Sequence, residues 1–155
     1  MVKERFAALL EDTGKILHLS IPSDVSSGCA IRSRSGLELL IQADLSSIPR
    51  IMICANLGSP TPGFYRENVF REALKYNGQT APKNGIFAYS QKKDALFLYA
   101  ELPLEETTPE HLAEVLTSFT HTGEAWKSAL DRGQTPSFRE NQGAVSSPGG
   151  MFGSR

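Results

Sequence analysis

Several things are scarce in this sequence, and each scarcity removes a class of protein. Only 2 cysteines, Cys29 and Cys54, occur in 155 residues, too few and too far apart for a disulfide scaffold or a metal knuckle, so a reducing compartment is expected. Charge of one sign is not in excess either. With 16 Lys+Arg against 17 Asp+Glu and a formal net charge of -1, the basic surplus of a general nucleic-acid binder is absent, and no nucleic-acid partner is expected. Long apolar runs are missing: Ile51 to Ala55 and Ala95 to Ala100 fall far short of the ~20 residues that span a bilayer. The basic start Lys3 to Arg5 leads into a short apolar stretch, Phe6 to Leu10, broken by Glu11 and Asp12. A signal peptide needs more. The expectation is a cytoplasmic chain without membrane insertion.

Catalytic signatures are scarce too. There is no Gly-x-Ser-x-Gly, no Gly-rich phosphate loop ending in Gly-Lys-Ser/Thr, and no His-Glu-x-x-His. His111 and His121 are ten residues apart, about 80° out of register on a helix, so they form no two-ligand face and are read as solvated. His18 precedes a loop. Cys54 lies in a strand, where a small thiol fills space, and nothing nearby in sequence activates it. No catalytic residue, metal ligand or cofactor is assigned.

What is present is a clear alternation of periods. A 155-residue chain can bury roughly 70% of the surface it exposes when unfolded, enough for one domain with its own core. Phe6, Leu9 and Leu10, followed by Thr13-Gly14, predict a short amphipathic helix ending near the glycine. From Cys29 the period is two, Ser35-Gly36 supplies a two-residue turn, and Leu37 to Asp44 returns with Leu37, Leu39, Ile41 and Ala43 on one face. Arg50 to Leu57 aligns Ile51, Ile53, Ala55 and Leu57 inward. After the stiff Gly58 to Gly63 loop, Val69, Phe70, Ala73 and Leu74 recur at helical spacing, and Asn77-Gly78 is read as a left-handed helix end. Ile86 to Ser90 and Ala95 to Leu102 form a second hairpin, and Thr108-Pro109-Glu110 starts a last helix carrying Leu112, Val115, Leu116, Phe119, Trp126 and Leu130. The expected architecture is α+β, helix, three strands, helix, two strands, helix, on a twisted antiparallel sheet, with a domain over 1–132 and a mobile Gly/Ser/Pro-rich tail over 133–155.

Two surface features follow. Both faces of the second hairpin are apolar or aromatic, and a two-layer protomer leaves one of them bare; either all three helices share the coverage or the tyrosines stay half exposed, or a second subunit or a peptide covers that side. Between Asp94 and Trp126 stand 7 acids and no Lys or Arg, a patch that serves solubility or steers a basic partner.

In order and spacing, Leu37 to Asp44 with Arg50 to Gly58, and Ala95 to Leu104 with Thr108 to Leu130 including Phe119 and Trp126, resemble the Tir-chaperone (CesT-like) family. These are the class I chaperones of bacterial type III secretion. The resemblance covers Phe6 to Leu130 and implies a homodimer formed through the central helix, with Val69, Phe70 and Ala73 facing the partner copy. It implies a bacterial cytoplasmic, ATP-independent role: holding the N-terminal segment of a secreted effector extended and delivering it to the secretion ATPase or sorting platform. Candidate effector-binding residues are Phe6, Leu9, Leu10, Leu40, Met52 and Cys54. The near-neutral charge and the tail depart from the family pattern. A non-secretory dimeric adaptor of the same fold, or a small enzyme using His18 or Cys54, are the other readings.

Overall fold

Alternating burial along three consecutive strands builds the centre of the molecule. The computed structural model describes residues 2–21, 28–79 and 85–137. β1 (Cys29–Arg32), β2 (Glu38–Asp44), β3 (Arg50–Gly58), β4 (Ile86–Ser90) and β5 (Ala95–Pro103) form one antiparallel sheet in the order β1-β2-β3-β5-β4. Leu39, Ile41, Ile51, Ile53, Ala55, Leu57, Leu96 and Leu98 are buried on one face, as period two requires. That face packs on the helices α1 (Val2–Leu17), α2 (Phe64–Asn77) and α3 (Pro109–Asp131).

α3 is the spine of the helical layer. The Thr108 hydroxyl accepts from the His111 amide at 3.1 Å with Pro109 in the first turn, satisfying a donor the helix leaves open. Phe119 and Trp126 are fully buried. The rings of Tyr76 from α2, Phe87 from β4 and Trp126 stack in sequence, with centroids 4.9 and 4.0 Å apart. Gly123 lets α3 approach the sheet: a Cβ there would lie 2.8 Å from Leu37 Cδ2. Glu124 accepts from the Ser33 hydroxyl at 2.7 Å and from the Ser35 hydroxyl, pinning the β1–β2 turn to the helix.

Local details differ from the sequence expectation for identifiable reasons. α1 runs three residues past Gly14, because that glycine serves close packing: a Cβ would sit 3.0 Å from the Leu19 carbonyl and from Ile21 Cδ1. The helix closes instead at His18, with φ 56, and Leu19 N–H bonds to Gly14 O at 2.8 Å, the Schellman arrangement. The first hairpin closes one residue wider than expected, since Ser33 N–H bonds to Leu37 O at 2.8 Å around Arg34, Ser35 and Gly36. Gly78 is right-handed, φ -80. His121 is half-buried, and its Nε2 has no hydrogen-bond partner among the described residues, so it is not a solvated surface group. Past α3, Gln134 O accepts from Tyr65 Oη at 2.8 Å and Pro136 is buried. From residue 138 onward the expected tail lies outside the described residues.

Candidate interaction surface

All three helices cover one face of the sheet, so the other takes its character from the alternate residues. The strand register sets them in rows. Ala30 pairs with Leu40, Leu40 with Cys54, Cys54 with Tyr99, and Tyr99 with Ile86. One apolar row therefore crosses all five strands at ~4.8 Å per step. Leu40 and Ile86 are 41% and 43% exposed, and Cys54 and Tyr99 are half-buried. On one side runs the row Gln42-Met52-Glu101, on the other Asn56-Phe97-Ala88.

The polar groups of this face are tied to one another. Tyr99 Oη donates to Glu101, and Arg50 Nη1 pairs with the same carboxylate at 2.9 Å. Burial, then the hydrogen bond and charge of Glu101, push the Tyr99 hydroxyl up to about 12. The Tyr99 hydrogen bond holds the Glu101 carboxyl below its ordinary value against some desolvation, with Arg50 helping. Burial raises the Cys54 thiol, partly offset by Lys93, which disfavours the nucleophilic thiolate. Cys54 is a free thiol that acts here as a small apolar side chain. Among the described residues no group of three or more His, Cys, Asp or Glu is placed to hold a metal ion, and no helix is long and apolar enough to cross a membrane.

Leu40, Met52 and Cys54, singled out from the sequence, all belong to this face. Phe6 and Leu10 do not reach a surface. They are 1% and 0% exposed, with Leu9 buried beside them, because α1 turns its apolar stripe onto α3. Val69 and Ala73 likewise face their own core, and Phe70 is half-buried 5.0 Å from the Tyr89 ring. On the solvent side of α2 are Phe64 and Leu74, 85% and 69% exposed. Ala30, Tyr99 and Ile86 were not singled out from the sequence. Alternation marks each as one side of its strand, but only the register joins them in one row.

Beside this surface, Arg66 in the first turns of α2 gathers three segments. It donates to Pro60 O through Nε at 2.9 Å, to Tyr89 Oη through Nη1 at 3.1 Å, and pairs with Asp94 at 3.0 Å through Nη2. Tyr89 Oη in turn donates to Asp94. These bonds hold Asp94 below the ordinary carboxyl range, the Tyr89 hydroxyl contributing most. A groove of ≈ 390 Å³ lies where β5 outruns β4, lined by Gly85, Ile86, Tyr99, Glu101, Leu102 and Val115.

Comparison with known proteins gives the arrangement a context. The model of the Tir chaperone protein (CesT) family matches residues 8–127. Among curated proteins none matches the sequence. The fold is similar to a chain of the HopA1–SchA chaperone–effector complex, with TM-score 0.65, 15% identity, and 82% of this chain and 96% of that one covered. A chain from the complex of the Yersinia pestis type III secretion chaperone SycH with a fragment of YscM2 gives TM-score 0.58 at 18% identity, covering 77% and 97%. A chain of the ExoT–SpcS complex from Pseudomonas aeruginosa gives 0.58 at 13%, covering 77% and 95%. At these identities the structural likeness is one of fold.

Proposed function

The chain belongs to the Tir chaperone (CesT) family, and on that premise we propose that it is a type III secretion chaperone that holds a segment of a secreted effector in extended form. The observation that carries this reading is the row Ala30-Leu40-Cys54-Tyr99-Ile86, which lies on the face that no described helix covers, with Met52 and Phe97 beside it. An extended chain presents alternate side chains to such a face and offers its backbone to the strand edges. Burying each sizeable apolar side chain contributes ~1.5 to 3 kcal/mol, set against ~1 to 2 kcal/mol of backbone entropy per residue ordered. A long segment can thus be held while each part of it stays easy to peel away.

The protomer acts as a homodimer in the bacterial cytoplasm, without ATP and without a reaction of its own, and passes its client to the secretion ATPase or sorting platform. The exposed Phe64 and Leu74 of α2 support a second copy docking there. Val69, Phe70 and Ala73 then act from beneath, by fixing the helix that carries the contact. Phe6, Leu9 and Leu10 act in the same indirect way for the client, by holding α1 on α3. The raised thiol of Cys54 supports a binding role over the small-enzyme reading. Purification of the chain from its native host, followed by identification and limited proteolysis of what co-purifies, tests the proposal. The expected result is a secreted protein protected over one segment that gains solubility without gaining a fold. Recovery of no secreted protein would refute it.

A further inference from the structure

The β1–β2 hairpin is joined to the rest of the sheet along only part of its length. β2 pairs with β3 from Asp44–Arg50 to Leu40–Cys54, whereas β3 continues beside β5 as far as Gly58. Beyond Leu40 the hairpin stands out as an arm, in which β1 and β2 pair only with each other, at Ile31–Leu39 and Arg32–Glu38. Its hold on the molecule passes from the sheet to α3. Leu37, 1% exposed, lies against Gly123, where a Cβ would come within 2.8 Å of Leu37 Cδ2.

Glu124, the next residue of α3, makes the polar part of this contact. The buried Ser33 hydroxyl donates to Glu124 Oε2 at 2.7 Å and accepts from Leu37 N–H at 3.1 Å, so its one proton is committed to the carboxylate. The Ser35 hydroxyl, from the exposed turn, donates to the same oxygen. Burial of Leu37 resists withdrawal of the arm but has no preferred direction; two hydroxyls converging on one carboxylate oxygen give the strong, oriented kind of hydrogen bond. The arm carries Ala30 and, where the ladder to β3 ends, its partner Leu40, which is 41% exposed. The posture of the arm therefore sets where these two side chains stand relative to Cys54 and Tyr99.

We propose that Glu124 is a positioning residue for the client: by holding Ser33 and Ser35 it fixes the angle at which the β1–β2 arm leaves the sheet, and with it the first two residues of the apolar row. Glu124 touches no client itself. The inference rests on the chaperone reading and names a residue, on the opposite side of the sheet from the row, that governs the shape of the row.

The test uses the full chain and the secreted segment that co-purifies with it. In the free protein, Glu124→Ala should speed amide exchange at Ser33 and Leu37 at least fivefold while Ile53, within the ladder, exchanges as before. The same variant, folded by circular dichroism, should bind the segment at least fivefold more weakly. Glu124→Gln keeps the length, an acceptor for one serine and a donor for the other, and should bind within twofold of the parent. Ser35→Ala should weaken binding about threefold, and adding it to Glu124→Ala should cost nothing further, since the two act through one contact. If Glu124→Ala does not fold, Ser35→Ala at its exposed turn position decides. A residue that serves stability alone would lower the unfolding midpoint and leave affinity within twofold; that result overturns this inference and leaves the chaperone reading standing. Unchanged exchange at Ser33 and Leu37 does the same. Recovery of no secreted segment overturns the chaperone reading, and this inference with it.

Discussion

Replacing Trp126 by Phe is expected to cost far less than the burial of the indole suggests. Trp126 is 0% exposed, its ring centroid is 4.0 Å from that of Phe87, and its Nε1 has no partner among the described residues. Truncating a fully buried Trp to Ala costs about 3 to 5 kcal/mol, and Trp126→Ala should fall in that range because the Tyr76–Phe87–Trp126 stack loses its end. Phe keeps a ring against Phe87 and removes a smaller volume. At ~24 cal/mol per Å³ a residual void of roughly 40 Å³ costs ~1 kcal/mol, and lost transfer energy adds a similar amount. Against this, an unsatisfied buried donor carries a penalty of about 1 to 3 kcal/mol that Phe does not have. Trp126→Phe should therefore lie within about 1 kcal/mol of the parent. Because the chain has 1 Trp, unfolding should be followed in urea by far-UV circular dichroism, at one fixed protein concentration so that association does not shift the midpoint. A loss of about 2 kcal/mol or more with an unchanged m-value would show that the indole N–H is satisfied in solution and would refute the reasoning.

Three further outcomes follow from the same structure. Leu74→Glu should yield a folded monomer by light scattering, whereas Val69→Asp, which puts a charge at a 0% exposed position, should lose the fold; a folded monomer from Val69→Asp would reverse the assignment of the two faces of α2. In an absorbance titration one tyrosine should ionise near pH 12, and Glu101→Gln should lower that value only in part, since burial is its largest cause. The sign follows from the folded value lying above the unfolded one near 10: this contribution to stability is complete below pH 10 and disappears as pH rises through about 12. Gly123→Val should destabilise by about 2 kcal/mol or more through overpacking against Leu37; an unchanged melting temperature would mean that α3 can lift off the sheet without penalty.

Features decided within a few residues were legible in the sequence. The alternation of Ile51, Ile53, Ala55 and Leu57 places β3 correctly, and Thr108-Pro109 marks the start of α3 because a hydroxyl cap and a fixed φ act locally. Features that depend on distant partners were not. Gly14 looks like a helix end until Leu19 and Ile21 return to pack on it. The apolar positions of α2 define a broad stripe, but the ring of Phe87 draws Tyr76 inward and leaves Leu74 in solvent. Expecting Val69 and Ala73 at a partner's surface assumed that a helical stripe faces outward, while the sheet edge claims it first. Of the residues in the apolar row, Leu40 and Cys54 were recognisable strand by strand. Ala30, Tyr99 and Ile86 join them through hydrogen-bond register, which period-two patterning does not encode.

Arg66 has a mechanical consequence. One guanidinium fastens the loop before α2, the start of that helix and the tight turn between β4 and β5, so helix root and hairpin tip share a single rivet, and replacing Arg66 would unfasten both at once.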